Sequence, residues 1–171
     1  MQRPASVNVL GILNIVFAGF GVLGLMTSIV MFYLPGNSTN PVIKMMLENP
    51  TYAAWLKLCI PLGLLSCLAL LAAGIGLLRL RSWARTLSIA YAIYAIVFGL
   101  VGTVVNFLFL VRPFLEQGRQ QQGPEAMGAI GGAIGGVIGG CFGLIYPVVL
   151  LIFMLRPKVA AAFHPPAPPQ L

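Results

Sequence analysis

The stretch Gly128 to Gly143 reads GAIGGAIGGVIGGCFG: eight of its sixteen residues are glycine, and it lies inside one of the most apolar parts of the chain. In water, a glycine in a helix interior costs roughly 1 kcal/mol relative to alanine. Eight together would melt a soluble helix. In lipid the balance changes, because apolar helices feel no hydrophobic drive toward one another, and small residues four apart let two backbones come close enough for van der Waals contact to hold them. At about 100° per residue, the glycines fill roughly half of the helix circumference, with Ile130, Ile134, Val137, Ile138 and Cys141 on the other half. The stretch therefore predicts a membrane-spanning helix with one flat face for close packing.

The rest of the chain agrees. Of its 171 residues 59% are hydrophobic and only 8% charged, with a mean hydropathy of +0.97. A soluble domain carries about 25% charged residues, so this chain lacks the polar surface to face water. Four apolar runs, residues 7–34, 53–78, 83–111 and 126–155, each exceed the roughly 20 residues that cross a bilayer core as a helix. None alternates with the period of two expected of a barrel strand. The expectation is an all-α integral membrane protein, a four-helix antiparallel bundle with short loops. Residues 1–163 form its single domain and 164–171, HPPAPPQL, a proline-rich disordered tail. The first run is too long for a secretory leader and is expected to stay as the first span.

Small residues recur in register in the other spans too. The third carries Ser88, Ala92, Ala95, Gly99 and Gly102; the first carries Gly11, Asn14, Ala18, Gly21 and Ser28, with Leu25 the bulky member of the track; the second carries Gly63, Ser66, Ala73 and Gly76. The expected packing contacts are Gly128, Gly132, Gly136 and Gly140 of the fourth span and Ala92, Ala95, Gly99 and Gly102 of the third. Between the first two spans, Asn40-Pro41 and Asn49-Pro50 bracket a short interfacial helix, and Thr51 is the expected cap of the second span.

With four spans, one side holds Arg3, Arg79, Arg81, Arg85, Arg156 and Lys158, and the other Lys44, Lys57, Arg112 and Arg119. Lys/Arg excess marks the cytoplasmic side, which puts both termini inside. Arg79, Arg81 and Arg85, within seven residues beside two span ends, are topology determinants that also attract anionic lipid headgroups. The net charge of +7 is strung between spans rather than gathered on one soluble face, so nucleic acid is not an expected partner.

Chemistry is missing from the spans. The three acids, Glu48, Glu116 and Glu125, lie away from mid-membrane depth, and the single histidine, His164, is in the tail. Proton coupling, metal binding and nucleophilic catalysis all need such groups. No catalytic, cofactor-binding or metal residue is assigned, and an enzyme is not expected. Cys59, Cys67 and Cys141 lack the spacing of a disulfide framework or zinc site. Asn14, Tyr91, Tyr94, Thr103, Asn106 and Tyr146 are polar groups within spans, suited to interhelical hydrogen bonds.

The run LLAAGIGLLRLRSWARTLSIAYAIY, Leu70 to Tyr94, together with the opening RPASVNVLGILN, resembles a type common among small bacterial membrane proteins of four helices. In these a glycine-bearing span ends in leucine and arginine, a tryptophan follows, and the next span begins at once. The resemblance implies fold and an inner-membrane, multi-pass location, and carries no functional residues. The expected role is a non-enzymatic structural or accessory subunit of a membrane assembly, whose partners are lipids, other membrane subunits or a second copy of itself. The rival is a small channel or carrier for an uncharged or apolar solute.

Overall fold

The computed structural model describes residues 5–33, 48–113, 115–116, 124–157, 159 and 163. Within its helices, the surroundings of residues 5–6, 31–32, 124–130, 132–134, 136–137 and 142 lie outside that description. So do the expected interfacial helix over 41–47 and the tail 164–171.

The chain forms four long helices: α1 (Ala5–Tyr33), α2 (Pro50–Leu78), α3 (Ser82–Asn106) and α4 (Pro124–Leu155). A single π-helical turn, Phe107–Val111, continues α3 without a break, and the Arg112 N–H bonds the Phe107 carbonyl five residues back. Each of the four helices is long and apolar enough to cross a membrane. Their outward faces are apolar as well: Phe20, Leu23, Met26, Leu65, Leu68, Val97, Leu100 and Ile152 are all exposed on the bundle exterior.

The second helix starts three residues earlier than the hydropathy predicts. Asn49 is its cap rather than Thr51: Asn49 Oδ1 accepts from the backbone N–H groups of Thr51 and Tyr52 at 3.1 and 3.2 Å. Pro50 sits in the first turn, where its missing N–H leaves no helical acceptor unsatisfied. Asn49-Pro50, read from sequence as a stop, is therefore the start of a span.

Adjacent helices run antiparallel. Along α1 the residues Gly11, Gly21 and Leu25 meet Gly74, Cys67 and Gly63 of α2, in reverse order. Gly99 and Thr103 of α3 meet Leu144 and Gly140 of α4, also in reverse. The α2–α3 connection is three residues long and tightly bonded. The Arg81 N–H reaches the Gly76 carbonyl at 2.9 Å, the Leu80 N–H reaches Leu77 at 3.0 Å, and Leu80 takes a positive φ of 50°. This is a Schellman end, in which glycine usually supplies the left-handed residue. Here leucine does so, and its side chain packs against the core in return.

That core is concentrated at one end. Val7, Leu10 and Ala18 of α1, Leu70 and Leu77 of α2, Ala84 and Ala92 of α3, and Leu150 and Met154 of α4 form one buried cluster, joined by Val159 and Phe163. They gather where α1 begins, α2 turns into α3, and α4 finishes. Toward the opposite end, aromatic rings of α2 stack on those of α3 and its π turn, Trp55 on Phe98 at 5.3 Å and Tyr52 on Phe109 at 6.3 Å, and within α3 Tyr94 stacks on Phe98 at 5.4 Å.

Candidate functional site

The glycines divide into two populations once the helices are in place. Those of the α1–α2 contact are closed. A Cβ on Gly74 would stand 2.9 Å from the Gly11 carbonyl and 2.8 Å from Ile15, one on Gly21 would stand 2.6 Å from the Cys67 sulfur, and one on Gly63 would stand 2.8 Å from Leu25. Leu25, the bulky exception in the α1 track, is thus a knob against a glycine of α2. Gly74, absent from the sequence-derived seam, makes the closest backbone approach of the described glycines.

In α4 the glycines are mostly open. A Cβ at Gly131, Gly135, Gly139 or Gly143 would meet nothing within 4 Å, whereas at Gly140 it would lie 3.4 Å from Thr103 Oγ1 of α3. Gly99 faces Leu144 at 2.6 Å; Ala92 is buried, Ala95 half-buried, and a Cβ on Gly102 would meet nothing within 4 Å. The backbones of Gly128, Gly132 and Gly136 are helical, but their surroundings lie outside the described residues. One side of α4 is therefore used against α3, and a second row of glycines, one position earlier in each repeat, has no neighbour among the described residues.

Arginines mark the closed end. Arg79 and Arg81 flank the α2–α3 turn and are exposed; Arg85, half-buried, donates from Nε to the Met154 carbonyl at 3.1 Å. This bond satisfies one of the carbonyls left open in the last turn of α4. Arg156 lies over the Phe153 ring, 4.5 Å from its centroid. Described acids occur at the opposite end, where Glu116 pairs with Arg112 at 3.2 Å.

Among the described residues, two side-chain pairs hydrogen-bond across the bundle. Asn14 is 0% exposed and its Oδ1 accepts the Tyr146 hydroxyl of α4, whose ring stacks on Phe17 at 4.1 Å. Tyr52 donates to Asn106 Oδ1 at 2.5 Å. Tyr52 faces inward and is 2% exposed. Asn106 lies twelve residues along α3 from Tyr94, about 18 Å at 1.5 Å per residue. Asn14, Tyr94, Asn106 and Tyr146 thus belong to separate groups, not to one bonded chain. Among the described residues, Asn14 Nδ2 and Tyr94 Oη are fully buried without a hydrogen-bond partner.

Beside the Asn14–Tyr146 pair the helices part. A cleft of about 390 Å³, almost wholly apolar, is lined by Phe17, Leu70, Tyr91, Gly143, Tyr146 and Pro147 among others. On the other side of Tyr91 is a smaller cleft of about 200 Å³ that includes Ser66 and Tyr94. Tyr91 is the shared wall. The sequence names Tyr91 and Tyr146 as polar span residues but carries no signal for the cleft, where Gly143 leaves open space. Among the described residues, no three His, Cys, Asp or Glu side chains approach closely enough to hold a metal.

Removing the Tyr146 hydroxyl should show what the polar pair contributes. Tyr146→Phe leaves the Asn14 amide buried with neither end bonded, at an expected cost of about 1 to 2 kcal/mol. Thermal melting in detergent measures it, with Tyr33→Phe, at an exposed position, as the unaffected control.

No protein-family model, no curated protein and no solved structure matches the chain.

Proposed function

We propose that the chain is a non-enzymatic multi-pass membrane protein that serves as an accessory or structural subunit of a membrane assembly. The observation that carries this reading is the open glycine row Gly131, Gly135 and Gly139 on α4. Glycines four apart favour the close approach of another helix, and the bundle itself already uses the neighbouring Gly140 for α3. A row left open on a helix of this kind suits a helix from another subunit.

In this reading both termini and the α2–α3 turn lie on the cytoplasmic side. The arginines at 79, 81, 85 and 156 support that orientation, and their guanidinium groups would meet anionic headgroups there. The resemblance of the Leu70–Tyr94 run to small bacterial proteins favours an inner membrane. The rival, a channel or carrier for an uncharged solute, needs Asn14, Tyr94, Asn106 and Tyr146 along one path. Their division into separate groups favours the accessory role.

Two measurements test it. Protein extracted mildly from native membranes should migrate with a partner, and Gly135→Leu combined with Gly139→Leu should abolish that complex while leaving the melting temperature within about 2 °C of the parent, because a Cβ at either position meets no described atom within 4 Å. A parent that runs as a monomer with nothing co-purifying overturns the proposal. A complex containing only further copies of this chain would make the assembly a homo-oligomer.

A further inference from the structure

The cleft between α1 and α4 holds two hydrogen-bonding groups that the bundle does not use. Pro147 has no N–H, so the carbonyl four residues back in the helix, that of Gly143, loses its usual donor. Gly143 and Pro147 both line the cleft. From the α3 side, Tyr91 enters the same wall, and its hydroxyl makes no hydrogen bond to any described residue. An acceptor and a donor are therefore found on one apolar cleft at a depth where water is scarce.

The remaining walls are the stacked rings of Phe17 and Tyr146 and the side chain of Leu70. An unmatched polar group in such surroundings costs stability unless a guest satisfies it. A single hydroxyl both donates and accepts, and can match the two groups at once with little polar bulk to bury. A cleft of about 390 Å³ falls in the range of small-ligand pockets and takes one chain or ring system rather than a two-chain lipid.

We propose that this cleft binds a single-chain lipophilic alcohol drawn from the bilayer, its hydroxyl donating to the Gly143 carbonyl and accepting from the Tyr91 hydroxyl, its apolar body lying against Phe17, Tyr146 and Leu70. Gly143 continues the open glycine row by one step, but the cleft is formed against Phe17, Leu70 and Tyr91 of the other helices, and it stands whether or not the chain is an accessory subunit.

Photolabelling of the purified full-length protein in detergent tests this, with a diazirine-bearing farnesol analogue as the probe. Label should fall on peptides containing Phe17 and Tyr146. Unlabelled farnesol should compete, farnesyl methyl ether, which cannot donate, about ten-fold less well, and diacylglycerol poorly. Tyr91→Phe should weaken farnesol about ten-fold by removing one hydrogen bond. Gly143→Leu, where a Cβ meets nothing within 4 Å and the fold has no reason to change, should fill the cleft and remove labelling. Equal competition by the alcohol and its ether, or labelling indifferent to both substitutions, would mean that only acyl chains occupy the groove, and the proposal would fail. Circular dichroism and melting of both variants keep loss of binding distinct from loss of fold.

Discussion

Gly74→Leu is expected to lower the melting temperature in detergent more than Gly21→Leu or Gly63→Leu. The reason is the nature of the obstacle. At Gly21 and Gly63 the atoms in the way are side-chain ends, the Cys67 sulfur and the Leu25 methyl, which can rotate aside. At Gly74 the obstacles include the Gly11 carbonyl at 2.9 Å and the Asn14 Cβ at 3.0 Å, both fixed to the α1 backbone. Even one methyl group forces the helices apart, and a leucine forces the α1–α2 contact open along its length. Overpacking costs about 1 to 3 kcal/mol when neighbours can adjust; with backbone as the neighbour, about 3 kcal/mol or more is expected. Displacing Asn14 would also disturb its bond with Tyr146. Gly139→Leu is the matched control, with no atom to displace. Equal melting of the two variants would show that the α1–α2 crossing is not close in the folded protein.

The second large effect is expected at Leu77, which is 0% exposed in the cluster where all four helices meet. In a soluble core, Leu→Ala costs 2 to 5 kcal/mol through lost transfer energy plus a cavity. In lipid the first contribution falls away, because an acyl chain is as apolar as the core. Lost dispersion contacts remain, so Leu77→Ala should cost about 2 kcal/mol. Leu65→Ala, at a position 65% exposed, should cost almost nothing. Chemical or thermal unfolding in detergent compares the two. A large loss at Leu65 with none at Leu77 would invert the bundle.

Four helices and their approximate limits could be read from hydropathy because length and apolarity are properties of each segment alone. The seam of α1 was legible for a similar reason: Gly11, Asn14, Ala18, Gly21 and Leu25 share one helical track, and that track does face α2. What could not be read is which glycine meets which partner. Gly74 lies off the small-residue track of α2, yet it makes the closest crossing, since the crossing point depends on the relative rotation and height of two helices. Likewise the sixteen residues richest in glycine gave no sign that Gly140 would meet α3 while Gly131, Gly135 and Gly139 met no described neighbour. The cap at Asn49 was misread because Asn-Pro serves both as a stop and as an entry, and only the two N–H groups reaching its side chain distinguish them. The cleft beside Pro147 needs α1, α3 and α4 together, so no local pattern encodes it.

The three-residue turn between α2 and α3 also bears on the order in which the bundle assembles. Closing a connection costs chain entropy that grows with its length, by about 0.6 kcal/mol for each doubling. Sixteen residues, 34–49, separate α1 from α2, against three, 79–81, between α2 and α3. That is more than two doublings, so the α2–α3 hairpin has a head start of about 1 to 1.5 kcal/mol over the α1–α2 pairing. Leu80 adds to it by committing the chain to reverse direction while still contributing a side chain to the core. On chain entropy alone the central hairpin is expected to close before the α1–α2 pairing, and lengthening the turn would reduce that head start without removing any contact of the finished bundle.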